Sequence, residues 1–179
     1  MIKKIIIYFF LLNLFLSFPF VVRAEYVLPY PPVMPGNKMY RVGRIIDRLK
    51  QYWFFGNLAQ LKYRRSLSDK YLVESKTLFE YKQYLLASDA LVRSDSQVGY
   101  IKDLIHNAKN SGVDIADYSR TVKEQMSVHI SVLERMKSLL PEEFVWRPEK
   151  VQSTNLQIGS MIDTSISLRK KIYNEFNSQ

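Results

Sequence analysis

The stretch from residue 115 to residue 140 constrains the fold more than any other part of the chain. Its apolar side chains fall on two series of positions seven residues apart, with one histidine among them. The series are Ile115, Val122, His129 and Met136, and Met126, Leu133 and Leu140. Apolar residues at this heptad spacing form a stripe along one side of an α-helix, and such a stripe is normally covered by another helix. The sequence therefore predicts a long helix that begins after Asp114, ends at Pro141 and packs against a partner.

The rest of the chain shows helical periodicity that turn residues interrupt. Further helices are predicted over about residues 38–54, 58–81, 84–109 and 148–176, with Asn37 as an N-cap and Pro148 in the first turn of the last helix. Lys82-Gln83 could be a turn or a continuation. Alternating patterns typical of strands do not persist anywhere in the chain. We therefore expect an all-α fold of four to five antiparallel helices, in a bundle or a stack of helical hairpins.

The first of these helices has an amphipathic pattern, and we expect its apolar side to lie in the core. That side comprises Val42, Ile45, Ile46, Leu49, Tyr52 and Trp53. Arginines repeat on another side of the same helix. The helix is therefore expected to cover the bundle with its aliphatic residues and to present its arginines to solvent.

Residues 1–24 have the layout of an export signal. Two lysines precede an uncharged, largely apolar run, and Val22-Arg23-Ala24 suits cleavage after Ala24. We expect cleavage at that position, or else retention of the segment as a membrane anchor. In both cases the remaining chain would lie outside the cytoplasm, secreted or associated with the cell envelope. Residues 25–37 contain four prolines and would run extended, and residues 38–179 would form a single helical domain.

Several short motifs resemble those of a known protein family. They are Tyr26-Val27-Leu28-Pro29-Tyr30-Pro31, Met34-Pro35-Gly36-Asn37, Arg44-Ile45-Ile46-Asp47, Ser68-Asp69-Lys70-Tyr71-Leu72 and Tyr84-Leu85-Leu86-Ala87. With these motifs, residues 26–110 resemble an uncharacterised bacterial family of exported helical proteins, the domain-of-unknown-function family five-six-six-seven. The resemblance implies export and an α-helical fold. It implies no activity, cofactor or catalytic residue.

Positive charge is concentrated in the first third of the chain that follows the predicted signal. The whole chain carries a formal net charge of +9, and residues 38–82 contain eleven Lys and Arg against four Asp and Glu, a net of +7. The candidate residues for binding a polyanion are Arg41, Arg44, Arg48, Lys62, Arg64 and Arg65. Aromatic side chains lie between them in the sequence, a combination that can hold phosphates and stack bases or sugars. A basic face that only keeps the protein in solution would show the same composition.

The sequence lacks the common signatures of catalysis. It has no Cys, which excludes disulfides, thiolate nucleophiles and Cys-based zinc sites. His106 and His129 do not have the spacing of paired helical metal ligands, and His129 is expected to be a core imidazole. No nucleophile elbow or phosphate loop is present. We therefore expect a non-enzymatic protein without cofactor, metal or small-molecule substrate. It would bind a protein partner in the envelope or self-associate; the alternative is a polyanion-binding module for nucleic acid, anionic lipid or wall polymer.

Overall fold

The structure, a computed structural model, describes residues 26–29, 33–149 and 152–176. The predicted export signal over residues 1–24 lies outside the described residues. The helices are α1 (Lys38–Lys50), α2 (Asn57–Glu80), α3 (Tyr84–Asn110), α4 (Ala116–Leu139) and α5 (Ile158–Glu175), and two short strands are β1 (Phe144–Trp146) and β2 (Thr154–Leu156). The prediction of a mostly helical fold is confirmed.

Two helical hairpins form the body of the molecule. α2 packs along α3, and α4 packs along α5, with further contacts between α3 and α5 and between α2 and α4. Lys82 adopts a positive φ of 57° and closes the tight turn between α2 and α3, which decides that this position is a turn. Gly112, with a φ of 74°, lies in the connection from α3 to α4, where a positive φ costs glycine little.

The apolar stripes predicted for α2 to α5 line the core. The two largest clusters of buried residues lie one at each end of the hairpins, and a small third cluster on α2 consists of Tyr63, Leu67 and Tyr71. Leu133 and Met136 of the predicted heptad stripe belong to the first cluster, and Val122 and Met126 belong to the second. The stripe on α4 is therefore a core surface, as its spacing predicts.

The expectation of a helix beginning at Pro148 is wrong. β1 pairs with β2 in antiparallel register, with Val145 opposite Asn155, and α5 begins only at Ile158. Proline keeps the preceding Arg147 extended, which suits an N-cap and a strand end equally, so Pro148 does not by itself decide between a helix and an extended segment. The preceding Phe, Val and Trp favour strands. Alternation over three residues is too short a signal to be recognised in the sequence.

The expectation that α1 contributes to the core is also wrong. α1 begins at its predicted N-cap, where the side chain of Asn37 accepts a hydrogen bond from the backbone of Met39 at 2.9 Å. It ends at Lys50, four residues earlier than predicted, and none of its residues is buried. No helix in the described part of the chain is both long and apolar enough to cross a membrane.

Candidate functional site

α1 turns its polar side, and not its apolar side, towards the body of the protein. The hydroxyl of Tyr40 donates a hydrogen bond to Glu74 Oε1 of α2 at 2.5 Å, and the ammonium of Lys70 contacts the carboxylate of Asp47. Tyr63 of α2 donates to the backbone carbonyl of Asp47 at 2.5 Å. Positions 40 and 47 are seven residues apart and share one side of a helix. This side therefore fixes the orientation of α1.

The aliphatic residues of α1 lie on the opposite side and face outward. An α-helix advances by about 100° per residue, which puts positions 42, 45, 46 and 49 roughly opposite positions 40 and 47. The exposed fractions of Val42, Ile45, Ile46 and Leu49 range from 43% to 58%. An exposed apolar surface of this kind on a folded protein usually marks an interaction site.

Aromatic side chains extend this apolar surface beyond the end of α1. Trp53 and Phe55 are 75% and 84% exposed. The segment that carries them is nevertheless anchored, because Gln60 donates from Nε2 to the backbone carbonyl of Phe54 at 2.6 Å. The ring of Phe54 also stacks on Tyr63, with centroids 4.6 Å apart. The α1 surface, defined as the exposed apolar residues of α1 together with Trp53 and Phe55, is thus held in place by folded structure.

The six basic residues predicted as a polyanion site are divided among different surroundings. Arg44, Arg48 and Arg64 line one cavity between α1, α2 and α3. Arg41 is exposed on α1 and is not part of that cavity. Lys62 lies 5.7 Å from the ring centroid of Tyr118. Arg65 donates from Nε to Gln125 Oε1 at 2.7 Å, on the side of α2 that faces α4.

The cavity has a volume of about 240 Å³ and includes a fourth arginine, Arg93 of α3. The sequence reasoning missed Arg93, because it lies outside the basic segment in a part of the chain with no net charge. Its helix reaches the cavity only because α3 folds back along α2. Burial raises the pKa of Tyr63, beside this region, to about 12, so its hydroxyl stays protonated and donates.

A second polar cluster crosses the centre of the protein. Each long helix contributes a charged or imidazole side chain to it, and we call this cluster the polar layer. Its main members are Asp69 of α2, Asp95 of α3, His129 of α4 and Arg169 of α5. His129 Nε2 lies 2.7 Å from Asp69 Oδ1, and Arg169 donates from Nη1 to Asp95 Oδ1 at 2.6 Å. In the sequence of every helix these positions fall between the two apolar clusters.

Hydrogen bonding assigns the tautomer of His129. Arg169 Nε is an obligatory donor and lies 3.2 Å from His129 Nδ1, so Nδ1 accepts a hydrogen bond. Nε2 therefore carries the ring proton and donates a hydrogen bond to Asp69. Burial lowers the pKa of His129, and the hydrogen bond from its ring to Asp69 only partly opposes this effect. The imidazole is therefore neutral in the folded protein. Burial also lowers the pKa of Arg169, against the opposing effect of Asp95.

The polar layer has the features of a structural element. His129 and Arg169 are fully buried. The hydroxyl of Tyr26, in the segment before α1, donates a hydrogen bond to Asp69. Burial and the Asp69 charge raise the pKa of Tyr26, which keeps this hydroxyl a donor. Within the residues that the structure describes, no group of His, Asp and Glu side chains could hold a metal ion. The layer joins all four long helices at one level through these hydrogen bonds. Only His129, a polar residue within an apolar stripe, signals it in the sequence.

Comparisons with protein-family models, with curated proteins and with solved structures each give no match. The resemblance of residues 26–110 to a domain-of-unknown-function family stays a prediction. The functional argument therefore depends on the α1 surface and on the arginine-lined cavity beside it.

Proposed function

We propose that this protein is a non-enzymatic, exported helical protein that binds anionic membrane surfaces through the α1 surface. The outward orientation of the aliphatic side of α1 is the observation that carries the proposal. Helices that lie in a membrane interface combine such an apolar side with Lys and Arg on the polar side, and Trp and Phe are common among their apolar residues. The resulting location would be the outer side of a membrane in the cell envelope.

The charges around the α1 surface favour an anionic partner. Lys38, Arg41 and Lys50 are exposed on α1 outside the arginine-lined cavity. The single acid of the helix, Asp47, points inward to Lys70. Each Lys or Arg close to an anionic leaflet contributes about 1 kcal/mol. Insertion of each half-exposed aliphatic side chain adds roughly 1 kcal/mol, half the value for burying a fully exposed one.

Binding to nucleic acid or wall polymer would explain the positive charge around α1 but not its exposed aliphatic residues. Such binding leaves the outward aliphatic residues in water, since a phosphate backbone offers them no apolar surface. A protein partner, or a second copy of this chain, could cover the same residues. The positive surroundings favour the membrane, and the protein partner is an outcome that the experiment below distinguishes.

Trp53 provides a local test, because the chain has only one other tryptophan, Trp146. In the full chain with Trp146→Phe, emission reports Trp53 alone, whatever the N-terminal segment does. We expect a blue shift and quenching by brominated acyl chains when vesicles containing phosphatidylglycerol are added. Phosphatidylcholine vesicles should produce a clearly smaller effect, and added salt should weaken the response to anionic vesicles.

Two further variants make the test specific. Ile45→Gln with Leu49→Gln removes part of the α1 surface and should abolish the Trp53 response. Leu139→Gln, at a residue that is also exposed but lies at the end of α4, should leave it unchanged. A Trp53 signal that ignores anionic vesicles contradicts the proposal. A blue shift that instead grows with protein concentration, without lipid, indicates self-association.

A further inference from the structure

We propose that the cavity between α1, α2 and α3 binds the phosphate group of a phosphomonoester. Arg44 and Arg48 of α1, Arg64 of α2 and Arg93 of α3 line this cavity of about 240 Å³. Four arginines from three helices thus line one partly open cavity. The inference is independent of membrane binding, which uses the opposite side of α1.

The positive charge in the cavity is not balanced by its carboxylates. Among the described residues that line the cavity, Asp47 has the one carboxylate, and Lys70 forms an ion pair with it. Arg64 donates from Nη1 to the neutral Gln97 at 2.9 Å. Among the described residues, Arg44 and Arg48 have no carboxylate within ion-pair distance. Like charges held this close repel one another, and a bound anion would remove that repulsion.

Arg93 is the exception, because it already has acidic partners. Its Nη2 lies 2.8 Å from Glu74 Oε1, and its Nη1 contacts Asp89. These contacts hold the side chain in one orientation, over the ring of Tyr71 at 5.2 Å from the centroid. Its buried Nε has no hydrogen-bond partner. A fixed guanidinium with an unused donor is a suitable wall for an anion site.

The donors in the cavity suit a phosphate better than a carboxylate. A phosphomonoester carries nearly two negative charges and three terminal oxygens, and arginine forks bind such oxygens in pairs. The side-chain amide of Gln97, whose Oε1 accepts from Arg64, adds a neutral N–H donor to the same wall. The three arginines without acidic partners can therefore bind separate oxygens, whereas a carboxylate offers only two.

A neighbouring recess provides room for the organic part of the ligand. It has a volume of about 420 Å³, shares Gln51 and Arg64 with the arginine-lined cavity, and contains Tyr52 and Tyr100. Aromatic rings and the Arg64 guanidinium, which lies 4.5 Å from the Tyr100 centroid, offer flat surfaces for an apolar or aromatic group. A phosphomonoester with such a group should bind more tightly than inorganic phosphate.

Isothermal titration calorimetry on the full chain tests this site with three probes at matched ionic strength. The probes are inorganic phosphate, phenyl phosphate and monomeric dihexanoyl phosphatidic acid. We expect saturable binding of one probe per chain, with phenyl phosphate tighter than inorganic phosphate. Binding of the phosphatidic acid alone would identify a lipid headgroup as the source of the phosphate and would support the site. Absence of saturable binding for all three probes overturns the proposal.

Matched variants separate the cavity from general charge. Arg48→Gln and Arg44→Gln should each weaken binding about tenfold or more, the loss expected for one charge-assisted hydrogen-bonded contact. Arg41→Gln removes the same charge from the same helix but outside the cavity, and should change affinity less than about twofold. Equal losses in Arg41→Gln and Arg48→Gln would overturn the site. Both cavity variants should fold, since each removes an arginine that lacks an acidic partner, and circular dichroism checks this.

Discussion

Replacement of Arg169 by Met should strongly destabilise the protein. The Arg169 side chain is fully buried, and Met has similar length without the guanidinium. In the native structure the guanidinium donates to Asp95 Oδ1 at 2.6 Å and to Ser94 Oγ at 2.9 Å. It also donates to His129 Nδ1 at 3.2 Å. The variant removes this donor from all three acceptors, and Asp95 Oδ1 keeps only the hydrogen bond that Ser165 Oγ donates at 2.7 Å.

The expected loss in the free energy of unfolding is about 3 kcal/mol. Removal of one partner from a buried ion pair costs about 3–5 kcal/mol. The Asp95 side chain keeps 22% exposure, so water can partly replace the guanidinium there, which favours the lower end. The orphaned acceptor on His129 is buried, and such a group costs about 1–3 kcal/mol by itself. The costs at Asp95 and at His129 both arise from the loss of one guanidinium, so they are not added together.

Urea unfolding followed by helical circular dichroism measures the loss. Lys170→Met is the matched control, because Lys170 neighbours Arg169 on α5 and pairs with Glu134 at 3.0 Å on the surface. Its exposed pair should contribute less than about 1 kcal/mol. The slope of the unfolding free energy against urea concentration should be similar in each variant and the parent. A similar slope would show that unfolding still exposes a similar surface.

A double variant tests the cause of the loss. Asp95→Asn removes the charge that Arg169→Met leaves unpaired, so the double variant should be more stable than the sum of the single losses predicts, by about 1–3 kcal/mol. A loss below about 1 kcal/mol for Arg169→Met, or one equal to that of Lys170→Met, would refute a desolvated ion pair in the polar layer.

Two further predictions concern α4. Leu133→Ala should cost about 2–5 kcal/mol in urea unfolding, the range for truncating a buried leucine, whereas Leu139→Ala at an exposed position should cost less than about 0.5 kcal/mol. Burial holds the pKa of His129 below its unfolded value of about 6.5, so the unfolded chain binds the extra proton and stability should fall as the pH drops below about 6.5. His129→Gln should reduce this pH dependence relative to the parent; a pH profile identical to that of the parent would contradict a buried neutral imidazole.

Sequence periodicity was sufficient for the helices that bury a stripe. α2, α3 and α4 begin and end close to their predicted limits, because apolar spacing and turn residues at Gly112 and Pro141 act locally. The same local information failed between Pro141 and Ile158. There the prolines suit either a helix start or an extended segment, and the pairing of β1 with β2 decides between them.

The basic segment shows the limit of composition as a guide to a site. Residues 38–82 carry the excess charge, and three of the six predicted residues do meet at one cavity. Arg65 was indistinguishable from Arg64 in the sequence, yet it points towards α4 and bonds to Gln125. Adjacent residues on a helix differ by about 100° in direction, so a cluster in sequence divides between surfaces once partners surround the helix.

The sequence by itself determined the helical class, the limits of α2 to α4 and the core stripes of α2 to α5, since these follow from apolar spacing along a single helix. Only the tertiary structure decided which side of α1 faces the body and where the polar layer forms. An amphipathic pattern specifies that two sides differ, but not what each side meets. On α1, Tyr40 and Asp47 bond to α2 while four aliphatic residues stay exposed, and at the centre Asp69 and Arg169, 100 residues apart in the chain, are joined only through His129, which contacts both.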